Sequence, residues 1–111
     1  MPRILKIRQP SKAAPKVHDP FYDSPAWRKL RAYILKLFPF CQYCLQKKEP
    51  KHIWAKIVDH YLPKTLWPEL SLHPPNMRSC CEKCHSKKRS IERQYKVKEV
   101  LIGKLKEYGF N

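Results

Sequence analysis

Two Cys-x-x-Cys pairs, Cys41-Gln42-Tyr43-Cys44 and Cys81-Glu82-Lys83-Cys84, constrain this chain more than any other feature. Each tight turn can present two sulfurs to one tetrahedral ion, so the pairs predict a four-thiolate structural zinc site. Residues 45 to 80, 36 in all, separate the pairs, against about 15–20 in a simple finger. The zinc therefore pinches the ends of a segment with another task. Buried free thiols are the bland alternative, but two separate pairs at this spacing rarely serve packing alone. Cys80 fits a small buried hydrophobe and is left out of the site.

At 111 residues the chain reads as one small domain, of a size that buries a modest core and gains from a metal staple. Lys and Arg number 24 against nine Asp and Glu, a net charge of +15. Charge of this sign points to a polyanionic partner. A membrane surface is also anionic, but no apolar run approaches the roughly 18 residues of a spanning helix. The start of the chain has no apolar core followed by a cleavage site. Paired cysteine spacing then points to zinc in a reducing cytoplasm rather than to disulfides.

Residues 1–20 set Arg3, Lys6, Arg8, Lys12 and Lys16 against Asp19, among four prolines. They read as a basic, flexible arm able to settle on DNA phosphates, and residues 21–111 as the folded domain. Ser24-Pro25 is an N-cap with proline at the first helical position. Trp27, Leu30, Ile34 and Leu37 follow at helical spacing, and Pro39 closes this lead-in helix. Trp27 is expected to pack on the cysteine knuckle, and Arg28 and Arg31 read either as solvated charges or as phosphate contacts. Ile53, Ala55, Ile57 and Val58 build a strand towards Asp59. A proline-punctuated loop carrying Leu66, Trp67, Leu70 and Leu72 follows, then a second strand from Asn76. A helix starting near Glu82 brings Lys87, Lys88, Arg89, Arg93 and Lys96 towards the DNA backbone. Its continuation, Val97, Val100, Leu101 and Leu105, forms an apolar stripe that packs on the domain and ends before Gly109, with Gly103 as the weak point.

His85 directly follows Cys84, so on a starting helix the two side chains diverge by about 100°. They are poorly placed to share an ion, which frees His85 for a second site. At Ile57-Val58-Asp59-His60-Tyr61-Leu62-Pro63, Pro75-Asn76-Met77-Arg78 and Cys81-Glu82-Lys83-Cys84-His85-Ser86-Lys87-Lys88 the chain resembles the HNH endonuclease family. The resemblance spans roughly residues 21–90, since Tyr22, Trp27, Arg28 and Arg31 also look like the lead-in helix of phage and bacterial members.

The resemblance implies an α+β fold, a zinc-stapled domain whose ββα-metal core lies between the lead-in helix and a C-terminal helix. It implies His60 as general base, Asp59 and His85 as ligands of a catalytic divalent ion, and Asn76 as the residue that braces the hairpin loop. A mixed carboxylate and imidazole set leaves magnesium, manganese, nickel and zinc open. Successive strand residues face opposite ways, so the strand is expected to end or distort at Asp59-His60 if both are to reach one phosphate. The function expected is metal-dependent DNA endonuclease activity of low intrinsic sequence specificity, because no base-reading module is visible. Restriction, packaging with a phage terminase as partner, and mobile-element cutting are settings the resemblance leaves open. The competing expectation is a zinc-stapled nucleic-acid-binding protein without catalysis, for which Asp59, His60, Asn76 and His85 would be incidental.

Overall fold

The computed structural model describes residues 18–111; most of the basic arm lies outside the described residues. Helix α1, Pro25–Leu37, begins where Ser24 accepts the Trp27 N–H on its hydroxyl at 3.2 Å, with Pro25 in the first turn. It ends just before Pro39, which has no N–H with which to continue the ladder. Cys41 opens the single-turn helix α2, Gln42–Leu45, and accepts the Cys44 N–H on its sulfur at 3.4 Å. The strand expected from Ile53 is shorter than its apolar pattern suggests. An isolated bridge pairs Phe40 with Trp54, and strand β1 proper runs Ile57–His60.

Strand β2, Met77–Cys80, lies antiparallel to β1 in a two-stranded sheet that pairs Asp59 with Arg78 and His60 with Met77. Alternation along this hairpin sorts two apolar clusters onto its two faces. Val58 and Met77 pack with Trp27 and Ile34 of α1. Ile57 and Cys80 turn to the other face, where the paired cysteines, Tyr43, Ile91, Leu101, Leu105 and Phe110 gather. The lead-in helix thus covers one side and the cysteine knuckle the other.

Helix α3, Glu82–Gln94, starts inside the second knuckle. It stops there, and after extended residues at Tyr95 and Val97 the chain turns into helix α4, Lys98–Glu107. The break therefore falls before the apolar stripe, while Gly103 stays within α4. A straight continuation would carry Leu101 about 15 Å beyond Ile91. Folding back buries Leu101 and Leu105 completely and leaves Val97 and Val100 exposed. Gly109, at φ 85°, then reverses the chain. The Phe110 N–H reaches the Leu105 carbonyl at 2.8 Å, and the Phe110 ring enters the core edge-on to Tyr43.

Candidate active site and metal centre

The sulfurs of Cys41, Cys44, Cys81 and Cys84 lie within 4.8 Å of one another. The Cys44 sulfur is 3.8 Å from that of Cys81 and 3.7 Å from that of Cys84. Four thiolates bound tetrahedrally at about 2.3 Å from zinc would sit about 3.8 Å apart, so the spacing suits such an ion. Burial raises the Cys44 and Cys84 thiols above their ordinary value. At Cys81 burial is outweighed by the Cys84 N–H and the neighbouring sulfurs, which bring the thiol down to about 7. Thiols gathered this closely could hold a divalent cation, which would favour their thiolate forms. Cys80 is fully buried but stands outside this group.

Across the sheet, a cavity of about 510 Å³ is lined by Asp59, His60, His85, Arg89, Arg31 and Trp27 among others. Asp59 and His60 keep the strand's alternation. Asp59 turns to the α3 side, where Tyr43 meets it, while His60 turns to the α1 side and stacks on Trp27, ring centroids 5.1 Å apart and planes at 17°. They still share the cavity, because the cavity runs along the edge of β1 that no strand among the described residues pairs with, and because the strand ends at His60. The expected ending is there; no distortion is needed. Trp27, expected on the knuckle, lies against His60 instead, since α1 crosses the opposite face of the sheet.

The two oxygens of Asp59 have different surroundings. Oδ2 accepts the Tyr43 hydroxyl at 3.0 Å and the Lys88 ammonium at 2.9 Å. Burial and the Asp59 charge push the Tyr43 phenol well above its usual value, so it stays a donor. Oδ1 faces His85 Nε2 at 3.8 Å, beyond hydrogen-bond length. Burial, with Arg89 and Lys88 nearby, holds His85 below the ordinary imidazole value despite the Asp59 charge. Near neutrality the lowered pKa keeps His85 a neutral imidazole, with a lone pair to give beside Asp59 Oδ1. Their separation is less than the sum of two ligand bonds, about 4.2 Å, so one ion can be held by both.

His60 Nε2 donates to the Ser71 carbonyl at 2.9 Å. That bond leaves the lone pair of the neutral ring on Nδ1. Burial lowers the His60 pKa below its ordinary value, against the opposing effects of the Ser71 bond and Asp59. Asn76 ties together the segments that set this geometry. Its Oδ1 accepts the Leu62 N–H at 2.8 Å, and its Nδ2 donates to the Leu62 carbonyl at 3.0 Å and the Leu70 carbonyl at 3.4 Å. Leu62 follows His60 closely and Leu70 precedes Ser71, so Asn76 fixes both the ring's attachment and its acceptor.

The basic residues divide. Arg31 and Arg89 line the cavity, Arg28 and Arg93 are exposed, and Lys87 lies on the other side of α3. Lys96 is exposed but sits in the break between helices rather than on the helix face expected for it. Lys88 departs from the expected phosphate contact. It is completely buried, donating to the His60 carbonyl at 2.9 Å and pairing with both Asp59 and Glu92. Its spacing of four from Glu92 signalled a pair on one helix face; nothing local announced Asp59 as the third member. Tyr43 carried no such signal, because its partner lies 16 residues away in the chain.

The family model described as HNH endonuclease matches residues 41–90, from the first knuckle cysteine through most of α3. The structure is similar to that of the HNH endonuclease of the deep-sea thermophilic bacteriophage GVE2, crystallised with manganese ion, at 33% sequence identity and a TM-score of 0.61. The similarity covers 81% of this chain and 89% of that one. No curated protein matches. Among the described residues no helix is long and apolar enough to cross a membrane. Identity over most of both chains, together with the α+β hairpin and knuckle, decides between a nuclease and a stapled binder: the chain belongs to the HNH endonuclease family and is a metal-dependent phosphodiester hydrolase.

Proposed function

We propose that this protein hydrolyses phosphodiester bonds in DNA with low intrinsic sequence specificity, using His60 as general base. The observation that carries the proposal is the Nε2 bond to Ser71, which leaves the lone pair of a neutral His60 ring on Nδ1, in a side chain that lines one cavity with Asp59 and His85. A neutral imidazole there can take a proton from the attacking water. Asp59 Oδ1 and His85 Nε2 are the residues that would hold the catalytic ion, with Lys88 and Tyr43 reserving Oδ2 and fixing the carboxylate plane. When bound, a divalent ion there supplies charge opposite the phosphate and a Lewis-acid contact for the departing oxygen. Asn76 acts from outside the reacting atoms, by holding the backbone on either side of His60 and Ser71.

The four thiols would hold zinc, whose preference for tetrahedral sulfur suits their spacing. The catalytic ion is drawn from magnesium, manganese, nickel and zinc; manganese is present in the GVE2 nuclease structure. Arg28, Arg31, Lys87, Arg89, Arg93 and Lys96 are the proposed phosphate contacts, and contacts of that kind position DNA without reading bases. Packaging alongside a phage terminase is one setting such a nuclease would serve, and zinc thiolates suit a reducing cytoplasm.

The test is conversion of supercoiled plasmid to nicked circles, with and without each divalent ion. His60→Ala should retain zinc and DNA binding while cutting about 10²- to 10⁴-fold more slowly. If that variant cuts at the wild-type rate, His60 is not the base.

A further inference from the structure

The active cavity uses one side of α3. The other side, with Lys83, Lys87 and Gln94, faces a larger groove of about 980 Å³ beside the thiol cluster. Six lysines line it, Lys47, Lys48, Lys51, Lys56, Lys83 and Lys87, against one carboxylate, Glu82. All six are exposed, and among the described residues none is paired with a carboxylate. Like charges gathered on a concave surface raise its potential and attract an anion.

The groove also presents aromatic surface. Trp54 is 65% exposed and Tyr108 57%, although an indole is ordinarily well buried. Trp54 is firmly held. The Cys41 N–H reaches the Ile53 carbonyl at 2.7 Å and the Ala55 N–H the Pro39 carbonyl at 2.8 Å, on either side of it. Phe40 rests against the indole with centroids 4.6 Å apart, and its own ring is backed edge-on by His52. A fixed, open indole among lysines is the combination that single strands use, phosphates on the cations and a base on the ring.

We propose that this groove binds a single-stranded stretch of nucleic acid, with a base stacked on Trp54 and phosphates on the surrounding lysines. The proposal rests on the reading of DNA as substrate. Lys56 lines both the groove and the active cavity, so one strand can pass from one to the other along the edge of β1. An acidic protein would satisfy the lysines but would give the exposed indole nothing to do.

The test is fluorescence anisotropy of a short labelled oligothymidylate with full-length, zinc-loaded protein and no catalytic ion added. Trp54→Ala should weaken binding roughly 5- to 150-fold, the equivalent of one stacked base, and Trp54→Phe should recover most of it. Exchanging Lys47 and Lys51 for Glu should reduce the salt slope by about 1.4, some 0.7 for each phosphate no longer neutralised. Zinc content and circular dichroism check that each variant is folded. Variants that all bind like wild type would overturn the groove assignment and leave the nuclease reading standing. Weakening confined to the lysine exchange, with Trp54→Ala unaffected, would also overturn it, because a plain anion-binding face gives that result. Wild-type protein that neither binds nor nicks any DNA would overturn the nuclease reading, and the groove with it.

Discussion

Replacing Lys88 by methionine removes one ammonium and keeps an unbranched side chain in its place. In the wild type that ammonium is wholly buried, 2.9 Å from Asp59 Oδ2 and 2.9 Å from the His60 carbonyl, and paired with Glu92. Its loss leaves two carboxylates without their shared cation and one carbonyl without a donor. Breaking a buried ion pair from one side costs about 3–5 kcal/mol. Tyr43 still donates to Asp59, and Glu92 can take up a proton, so the lower end, about 3 kcal/mol, is expected. For a domain of this size that is a fall in Tm of roughly 12–24 °C. The pH dependence has a definite sign. Burial already raises Glu92, and Lys88 opposes that rise, so its removal raises Glu92 further. A carboxyl whose folded pKa exceeds its unfolded value binds a proton on folding, and stability then falls as pH rises through the interval between the two. The deficit should be greatest near neutrality and shrink towards about pH 5, where the unfolded carboxyl begins to titrate. Urea unfolding of both proteins, zinc-loaded, at the two pH values measures it. A loss under about 1 kcal/mol at neutral pH, or a deficit that grows in acid, would refute the account of Lys88 as the buried counter-ion.

Cys84→Ser should release the thiol-bound metal and unfold the domain, because binding and folding are coupled in small zinc units; metal analysis beside circular dichroism checks both. The acidic limb of the cleavage rate should lie below the ordinary imidazole value of about 6.5, since burial favours neutral His60 and the base works only when neutral. A limb centred above that value would contradict the assignment. Asn76→Ala removes three hydrogen bonds at once and should cost roughly 1–3 kcal/mol in urea unfolding. It should also lower kcat more than it raises KM, because Asn76 is buried and bonded to the backbone around His60 and Ser71.

Much of the site was legible because its signals are local. The knuckle pairs, the Ser24-Pro25 start of α1 and the start of α3 depend on neighbours a few residues apart, and the structure has them where the pattern put them. The divergence of His85 from Cys84 was also a local consequence of helical geometry, and His85 does face Asp59 rather than the thiols. What local pattern could not supply is which elements cross. Trp27 has the same helical spacing whether α1 lies on the knuckle or on the far face of the hairpin, and only the tertiary arrangement puts it against His60. The spacing of Lys88 from Glu92 suggested a pair on the helix, but only the passage of α3 over β1 buries Lys88 while Lys87 and Arg89 stay exposed. The halt of α3 at Gln94 had no proline or glycine to announce it. Burial of Leu101 and Leu105 is what makes a break there favourable.

The thiol cluster and the proposed active site are parts of one structure rather than neighbours. Tyr43 lies between the two cysteines of the first knuckle, and its hydroxyl holds Asp59. Cys81 and Cys84 launch α3, whose next turns deliver His85 to Asp59 Oδ1 and Lys88 to Asp59 Oδ2. Three of the groups around one carboxylate are therefore set by where the four sulfurs converge. The hairpin alone, two short strands, could not fix them, because an isolated pair of strands is marginal in water. The fourth influence comes from the other face, where α1 and Asn76 orient His60. In the proposed mechanism the thiol cluster would thus act on the chemistry through geometry, by closing the gap between a knuckle that holds the carboxylate and a helix that brings the imidazole to it.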